Sequence, residues 1–219
     1  MYEVSVIITA GGKGKRMGSS LPKQFMLIKD RPLLMHTIQR FYMYNPKWQL
    51  LVTLPEEWIN YWEELVVKYD FQIPHRIVTG GSERYHSIKN ALEKCQAKII
   101  AVHDGVRPMV SNDTIDHCFQ AMKTRKAVVP VLQLKESIRS VSSGASRAED
   151  RSRFRLVQTP QFFDAEVLMN AYTRPYGPEV TDDACLVEEL GETVYLVKGN
   201  EENIKVTTKI DLVIAEHLL

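Results

Sequence analysis

Strand-like and helix-like stretches alternate along this chain at about 25-residue spacing, and that alternation limits its fold more than any other feature. Apolar runs at 4–9, 50–54, 76–78, 99–103, 127–131 and 194–197 read as strands. Stretches at 32–44, 56–69, 82–94, 112–123, 164–172, 181–190 and 209–218 read as helices. Strands joined through helices pair in parallel by right-handed crossovers, and the helices cover both faces. The expected fold is α/β, a Rossmann-like, mostly parallel sheet with helices on both faces. Such sheets bind ligands at the carboxyl ends of their strands. Chemistry is therefore expected in the loops after residues 9, 79, 103 and 131. With 219 residues the chain fits one domain, 1–219.

One segment departs from the alternation. Residues 132–156 carry period-two pieces around a Ser-Ser-Gly-Ala turn. They read as a protruding β-arm. Long hairpins on small domains are marginal alone and usually clasp something, so a homodimer joined through this arm is expected. The cluster Trp58, Ile59, Tyr61, Trp62 and Leu65 recurs at helical spacing and reads as a packing face.

Charge excludes some classes of partner. Lys and Arg number 28 against 27 Asp and Glu, a net charge of +1, so no general affinity for nucleic acid or membrane is expected. No apolar run approaches the roughly 20 residues of a membrane span. The first residues lead directly into a strand without a signal peptide pattern. Cys95, Cys118 and Cys185 are odd in number and widely spaced. They suggest a reducing cytoplasm and suit neither a disulfide framework nor a zinc site.

The most informative loop, residues 10–25, follows the first strand. It holds Gly11, Gly12 and Gly14 beside Lys13, Lys15, Arg16 and Lys23. Glycines let backbone N–H groups approach an anion, and the cations suit a polyphosphate. Two familiar phosphate patterns fail here. Gly14-Lys15 is followed by Arg16 where a P-loop needs Ser or Thr, and Gly12-x-Gly14 leads to Met17 where the dinucleotide fingerprint needs Gly. An acidic residue about 20 positions on is also missing, which disfavours a nicotinamide oxidoreductase.

Three further stretches carry chemistry. Asp104 ends the run 99–103 and is placed to hold Mg²⁺ against a triphosphate, with Arg107 able to fork onto a phosphate. Gly105 permits close backbone approach. His103 points to the opposite face of its strand from Asp104 and is expected to be packed. Gly80-Gly81-Ser82-Glu83-Arg84-Tyr85-His86-Ser87 opens a helix, with Ser82 as a plausible N-cap and Gly81, Ser82 and Ser87 able to read a base or ribose. Near the C-terminus stand Asp150-Arg151, Thr159-Pro160-Gln161, the acidic caps Asp182-Asp183, and Asn203-Ile-Lys205-Val-Thr. No nucleophilic triad is evident, so the chemistry looks like positioning and charge neutralisation.

In order, these motifs are Ala-Gly-Gly-x-Gly-x-Arg-Met, Pro-Lys-Gln, Gly-Gly-x-x-Arg-x-x-Ser, His-Asp-x-x-Arg-Pro, Thr-Pro-Gln-x-Phe, Thr-Asp-Asp and Asn-Ile-Lys-Val-Thr. The series resembles the 2-C-methyl-D-erythritol 4-phosphate cytidylyltransferase family from about Val4 to the C-terminus. The resemblance implies transfer of CMP from CTP to that polyol phosphate, releasing pyrophosphate in the non-mevalonate route to isoprenoids. Ribitol 5-phosphate as acceptor, or a non-catalytic CTP-binding protein, remain alternatives. By position it implies that Arg16 and Lys23 act at the α-phosphate and that the backbone of Ala10, Gly11, Gly12 and Gly14 cradles the triphosphate. Gly81, Ser82 and Ser87 would read the nucleoside, with Gly105 beside the ribose and Asp104 holding Mg²⁺ or another divalent cation. Arg107, Ser137, Arg151, Thr159 and Lys205 would surround the acceptor, with Arg151 and Lys205 orienting the attacking phosphate. The family is a homodimer with interlocking arms, so Ser137 and Arg151 could serve the neighbouring site. Where family arms begin with an Asp-Thr-like pair, this chain has Glu136-Ser137.

Overall fold

The computed structural model describes residues 2–12, 21–177 and 179–219. The chain opens with β1 (Tyr2–Thr9), then a 3₁₀ turn at Lys23–Phe25, the short pair β2 (Leu27–Ile28) and β3 (Arg31–Pro32), and α1 (Leu33–Tyr44). It continues through β4 (Gln49–Leu54), α2 (Ile59–Lys68), β5 (Arg76–Thr79), α3 (Arg84–Leu92), β6 (Ala97–Asp104), α4 (Asn112–Ala121) and β7 (Ala127–Gln133). A hairpin follows, β8 (Ile138–Ser142) and β9 (Ala145–Glu149), then β10 (Arg155–Val157), β11 (Gln161–Asp164) and α5 (Ala165–Ala171). The last elements are α6 (Asp183–Glu188), β12 (Tyr195–Lys198) and α7 (Lys209–Leu218).

The main sheet runs β10-β7-β11-β6-β1-β4-β5, with β12 also paired to β7. β1 pairs in parallel with β4 and β6, β4 with β5, and β12 with β7. Side chains alternate across the sheet as the two-residue period requires. Val4, Val6 and Ile8 of β1 join one core with Ile38, Phe41, Trp62 and Ile115. Ile7 joins the opposite core with Ile88, Val102 and Leu168. β4 is buried along its whole length, as a strand covered on both faces must be. These two apolar layers hold the strand ends that carry the site.

Three expectations need correction. The sheet holds an antiparallel strand that the alternation does not announce: β11 inserts between β6 and β7 and runs against both. Its four residues follow Pro160 directly and are too few to show a period. Only part of 132–156 is a free arm. Leu132 and Gln133 belong to β7, and Arg155 and Leu156 pair back onto them through β10. The remaining hairpin, β8 with β9, pairs with no other described strand and is exposed on both faces. It turns through Ser143 and Gly144, whose φ values of 48° and 83° make the two-residue turn that suits strand twist. Within 56–69, Glu56–Trp58 forms a 3₁₀ turn and the α-helix begins at Ile59.

The aromatic stripe of α2 packs as expected. Phe25 lies 5.6 Å from the Trp58 ring, 5.3 Å from Tyr61 and 6.3 Å from Trp62, centroid to centroid. No described helix is long and apolar enough to cross a membrane.

Candidate active site

The carboxyl ends of β1, β5 and β6 and the 200–208 segment converge on one cleft of about 230 Å³. β1 delivers Ala10, whose N–H continues the sheet to the Thr53 carbonyl at 3.0 Å. Gln24 reaches back, its Nε2 donating to the Ala10 carbonyl at 2.6 Å. That bond ties the two feet of the glycine-rich loop together. Lys23 lies in the 3₁₀ turn beside Gln24, and Phe25 anchors the turn in the aromatic cluster. The loop thus presents Lys23 from a held backbone. Gly14 and Arg16, expected here, lie outside the described residues, as do Lys13 and Lys15.

The turn from β5 into α3 forms the second wall. Gly80 N–H donates to the Leu54 carbonyl at 2.7 Å. A Cβ on Gly81 would lie 2.3 Å from His86 Cβ, so no larger residue fits. Ser82 was expected to cap α3, but the N-cap position is Glu83, and no side chain caps it. The Ser82 hydroxyl pairs with His86 Nδ1 at 3.1 Å. Ser87 is buried; it donates to the Glu83 carbonyl at 3.1 Å and accepts the Gly81 N–H at 3.0 Å. Its one proton is spent, so Ser87 offers a ligand only a lone pair.

Asp104, paired with Thr9 in the sheet, forms the third wall. Its Oδ2 lies 3.0 Å from Arg107 Nε and 3.2 Å from Lys205 Nζ. Its Oδ1 has Arg84 Nε at 3.9 Å. Burial works to raise this carboxyl's pKa, but Lys205, Arg84 and Arg107 outweigh it and hold the group well below the usual carboxylate range. A magnesium ion commonly uses one or two carboxylates and takes its other ligands from phosphates and water. Among the described residues no cluster of three His, Cys, Asp or Glu side chains could enclose a metal. The less crowded Oδ1 of Asp104 is the oxygen that suits such an ion.

Arg84 and Asp183 are the residues that sequence reading missed. Asp183 is fully buried and accepts from both terminal guanidinium nitrogens of Arg84, Nη1 at 3.0 Å and Nη2 at 2.6 Å, and from the Tyr172 hydroxyl at 2.5 Å. Burial opposes the Arg84 charge, the pull of Asp183 exceeds it, and the guanidinium's pKa rises. Only its neighbour behaves as the expected cap: Asp182 accepts the Cys185 N–H at 3.0 Å. The Gly-Gly-x-x-Arg-x-x-Ser spacing was the available signal for Arg84, and Thr-Asp-Asp marked Asp183 as an acidic cap, but nothing local paired it with Arg84, 99 positions away.

Of the expected residues, Ala10, Gly11, Gly12, Lys23, Gly81, Ser82, Ser87, Asp104 and Lys205 line this cleft. Thr9, Gln24, Glu83, Arg84 and Val106 complete the lining. Three others stand behind it. Gly105 packs so tightly under Thr9 that a Cβ would lie 2.9 Å from the Thr9 carbonyl oxygen. Arg107 bonds Asp104 and the Asn203 carbonyl, and Thr159 Oγ1 accepts the Asp104 N–H. Ser137 and Arg151 are exposed at the feet of the hairpin, outside the cleft of this chain. There Arg151 donates to the Lys135 carbonyl.

A strand-end cleft lined by glycine backbone, Lys23, Arg84 and Lys205 has the charge and shape that nucleotidyl transfer requires. The family model described as 2-C-methyl-D-erythritol 4-phosphate cytidylyltransferase matches residues 4–219, and the chain belongs to that family. A relative from Bacteroides fragilis bearing that name is 46% identical over 98% of this chain and 99% of its own. One from Porphyromonas gingivalis is 45% identical, covering 97% of this chain and 96% of its own. Among solved structures, the Thermus thermophilus cytidylyltransferase aligns with a TM-score of 0.79 at 34% identity, over 99% of this chain and 98% of that one. The 4-diphosphocytidyl-2C-methyl-D-erythritol synthase of Anaerococcus prevotii aligns with a TM-score of 0.83 at 25% identity, over 99% and 97%.

Proposed function

We propose that this cleft binds CTP and 2-C-methyl-D-erythritol 4-phosphate and joins them in one displacement. An oxygen of the acceptor's phosphate attacks the α-phosphorus of CTP. The bond from that phosphorus to the β-phosphate bridging oxygen breaks, and pyrophosphate leaves with the electron pair. Both reactants are anions, so the chain's main contribution is charge placed in advance. The observation that carries this reading is Asp104, held by Lys205 and Arg107 at 3.2 and 3.0 Å opposite the glycine-rich loop. Lys23 would neutralise charge at the α-phosphate, and Lys205 would orient the attacking phosphate. Asp104 would hold Mg²⁺, which supplies charge neutralisation on the triphosphate when bound. The spent proton of Ser87 favours a base that donates there, which suits the amino group of cytosine over the carbonyl of uracil.

Pyrophosphate release tests the reaction. With CTP and Mg²⁺, release is expected with 2-C-methyl-D-erythritol 4-phosphate and not with ribitol 5-phosphate at comparable kcat/KM. Preference for the ribitol ester would reassign the acceptor. CTP binding with no release from either would leave a nucleotide-binding protein.

The hairpin supports a shared site. Its strands join no other described sheet, and Val141, Phe154, Leu156 and Val157 near it are exposed. A second copy of the chain would cover them and would receive Ser137 and Arg151 beside its own acceptor. Co-expressing Lys23→Ala and Arg151→Ala chains distinguishes the arrangements. If Arg151 serves the partner, half the dimers are mixed and one of their two sites is intact, so activity returns to about a quarter of wild type. If it serves its own chain, no activity returns. The odd number and wide spacing of Cys95, Cys118 and Cys185 favour a reducing, cytoplasmic setting.

A further inference from the structure

We infer that His103 is a positioning residue for cytidylyl transfer, acting through Thr159 and the Arg107 carbonyl to set where Asp104, Arg107 and Lys205 stand relative to one another. Its activity readout rests on the function proposed above; its spectroscopic readout does not.

His103 is fully buried on the face of β6 opposite Asp104, with Phe41 edge-on at 4.9 Å. Both ring nitrogens are used: Nε2 lies 3.0 Å from the Arg107 carbonyl and Nδ1 lies 3.0 Å from Thr159 Oγ1. The protons on this chain can be assigned from its ends. A carbonyl only accepts, so Nε2 carries the hydrogen. The Asp104 N–H only donates, and it reaches Thr159 Oγ1 at 3.1 Å. In the neutral ring Nδ1 must accept, so the Thr159 hydroxyl gives it its one proton. Every group is then satisfied in a single arrangement, as buried polar groups require.

That arrangement joins three parts of the site. Asp104 and Arg107 close a turn through the Arg107 N–H to Asp104 carbonyl bond at 3.1 Å, and His103 braces the turn from behind. Thr159 extends the brace to the 200–208 segment, because Asn203 Nδ2 donates to the Thr159 carbonyl at 2.8 Å. Asn203 is fully buried, its carbonyl accepts Arg107 Nη1 at 2.8 Å, and Lys205 follows two residues on. Thr159 has no proton left for a ligand. Its hydroxyl therefore acts on the reaction through the main chain of Asp104, and the residue is better placed to position than to bind the acceptor.

Two measurements test this. In the full-length protein at neutral pH, ¹⁵N-histidine spectra are expected to show His103 as the neutral Nε2–H tautomer. An Nδ1–H tautomer or a doubly protonated ring overturns the assignment. In kinetics, His103→Phe keeps a ring against Phe41, and Thr159→Val keeps the volume without the hydroxyl. Each is expected to lower kcat by about 10- to 100-fold, with KM for CTP and for the polyol phosphate within about threefold. The double variant should lose no more than the worse single, because both cut one chain. His103→Gln, which can donate and accept, should recover part of what His103→Phe loses. Losses that multiply in the double variant overturn the inference. So does unchanged kcat in either single, or a loss in Thr159→Val carried by KM for the acceptor. If His103→Phe fails to fold, Thr159→Val and the tautomer decide. Failure of the proposed reaction itself would show as no turnover in the unaltered protein, with the tautomer unaffected.

Discussion

Lys23→Met is expected to lower kcat by about 10²- to 10³-fold while KM for CTP changes little, as for loss of one preorganised donor to a developing anion. The residue is nine-tenths buried, at 9% exposure, so methionine keeps its apolar stem packed and removes only the charge. Its backbone is held on one side by Gln24 on the Ala10 carbonyl and on the other by Phe25 among three aromatic rings. In the proposed reaction, a cation fixed in this way would need no reorganisation as charge develops on the α-phosphate. Steady-state pyrophosphate release, with a melting curve to show the fold intact, measures the effect. Turnover within a fewfold of the unaltered protein would remove Lys23 from the transition state. The same charge role falls to Arg16 by resemblance alone.

Arg84→Met is expected to destabilise the fold by about 3 kcal/mol, because Asp183 is left charged and buried without its partner. That is the lower end of the range for such a loss, since a third of the Arg84 side chain reaches solvent. For a domain of this size the melting temperature should fall by roughly 10 °C. Arg84→Met with Asp183→Leu should recover more than half of the loss, since a buried ion pair replaced by apolar groups is often neutral. Denaturant unfolding of the two variants checks it. A single-variant loss under about 1 kcal/mol would mean that Tyr172, at 2.5 Å from Asp183, suffices to hold that carboxylate.

Much of this protein is legible along the chain because the signals are local. The strand that ends at Thr9 is a plain apolar run, and the glycines and cations that follow it are adjacent residues. Asp104 could be placed at a strand end for the same reason. The hairpin shows the limit. Its alternation reveals extended chain but not its partner, and Arg155 and Leu156 turn out to pair with β7. β11 shows the limit again, since four residues carry too little pattern to reveal a strand or its direction.

The sequence by itself determined the α/β class, the glycine-rich loop after the first strand, and most of the residues that meet in the cleft. Periodicity and motif spacing are properties of neighbours in the chain, and they survive without any fold. Only the tertiary structure decided which charged and polar groups face one another. Arg84 meets Asp183 across 99 positions, and His103 meets Thr159 across 56. Such pairs form because a buried ion or imidazole must find its partner wherever the sheet brings one, and the distance between them along the chain plays no part in that requirement.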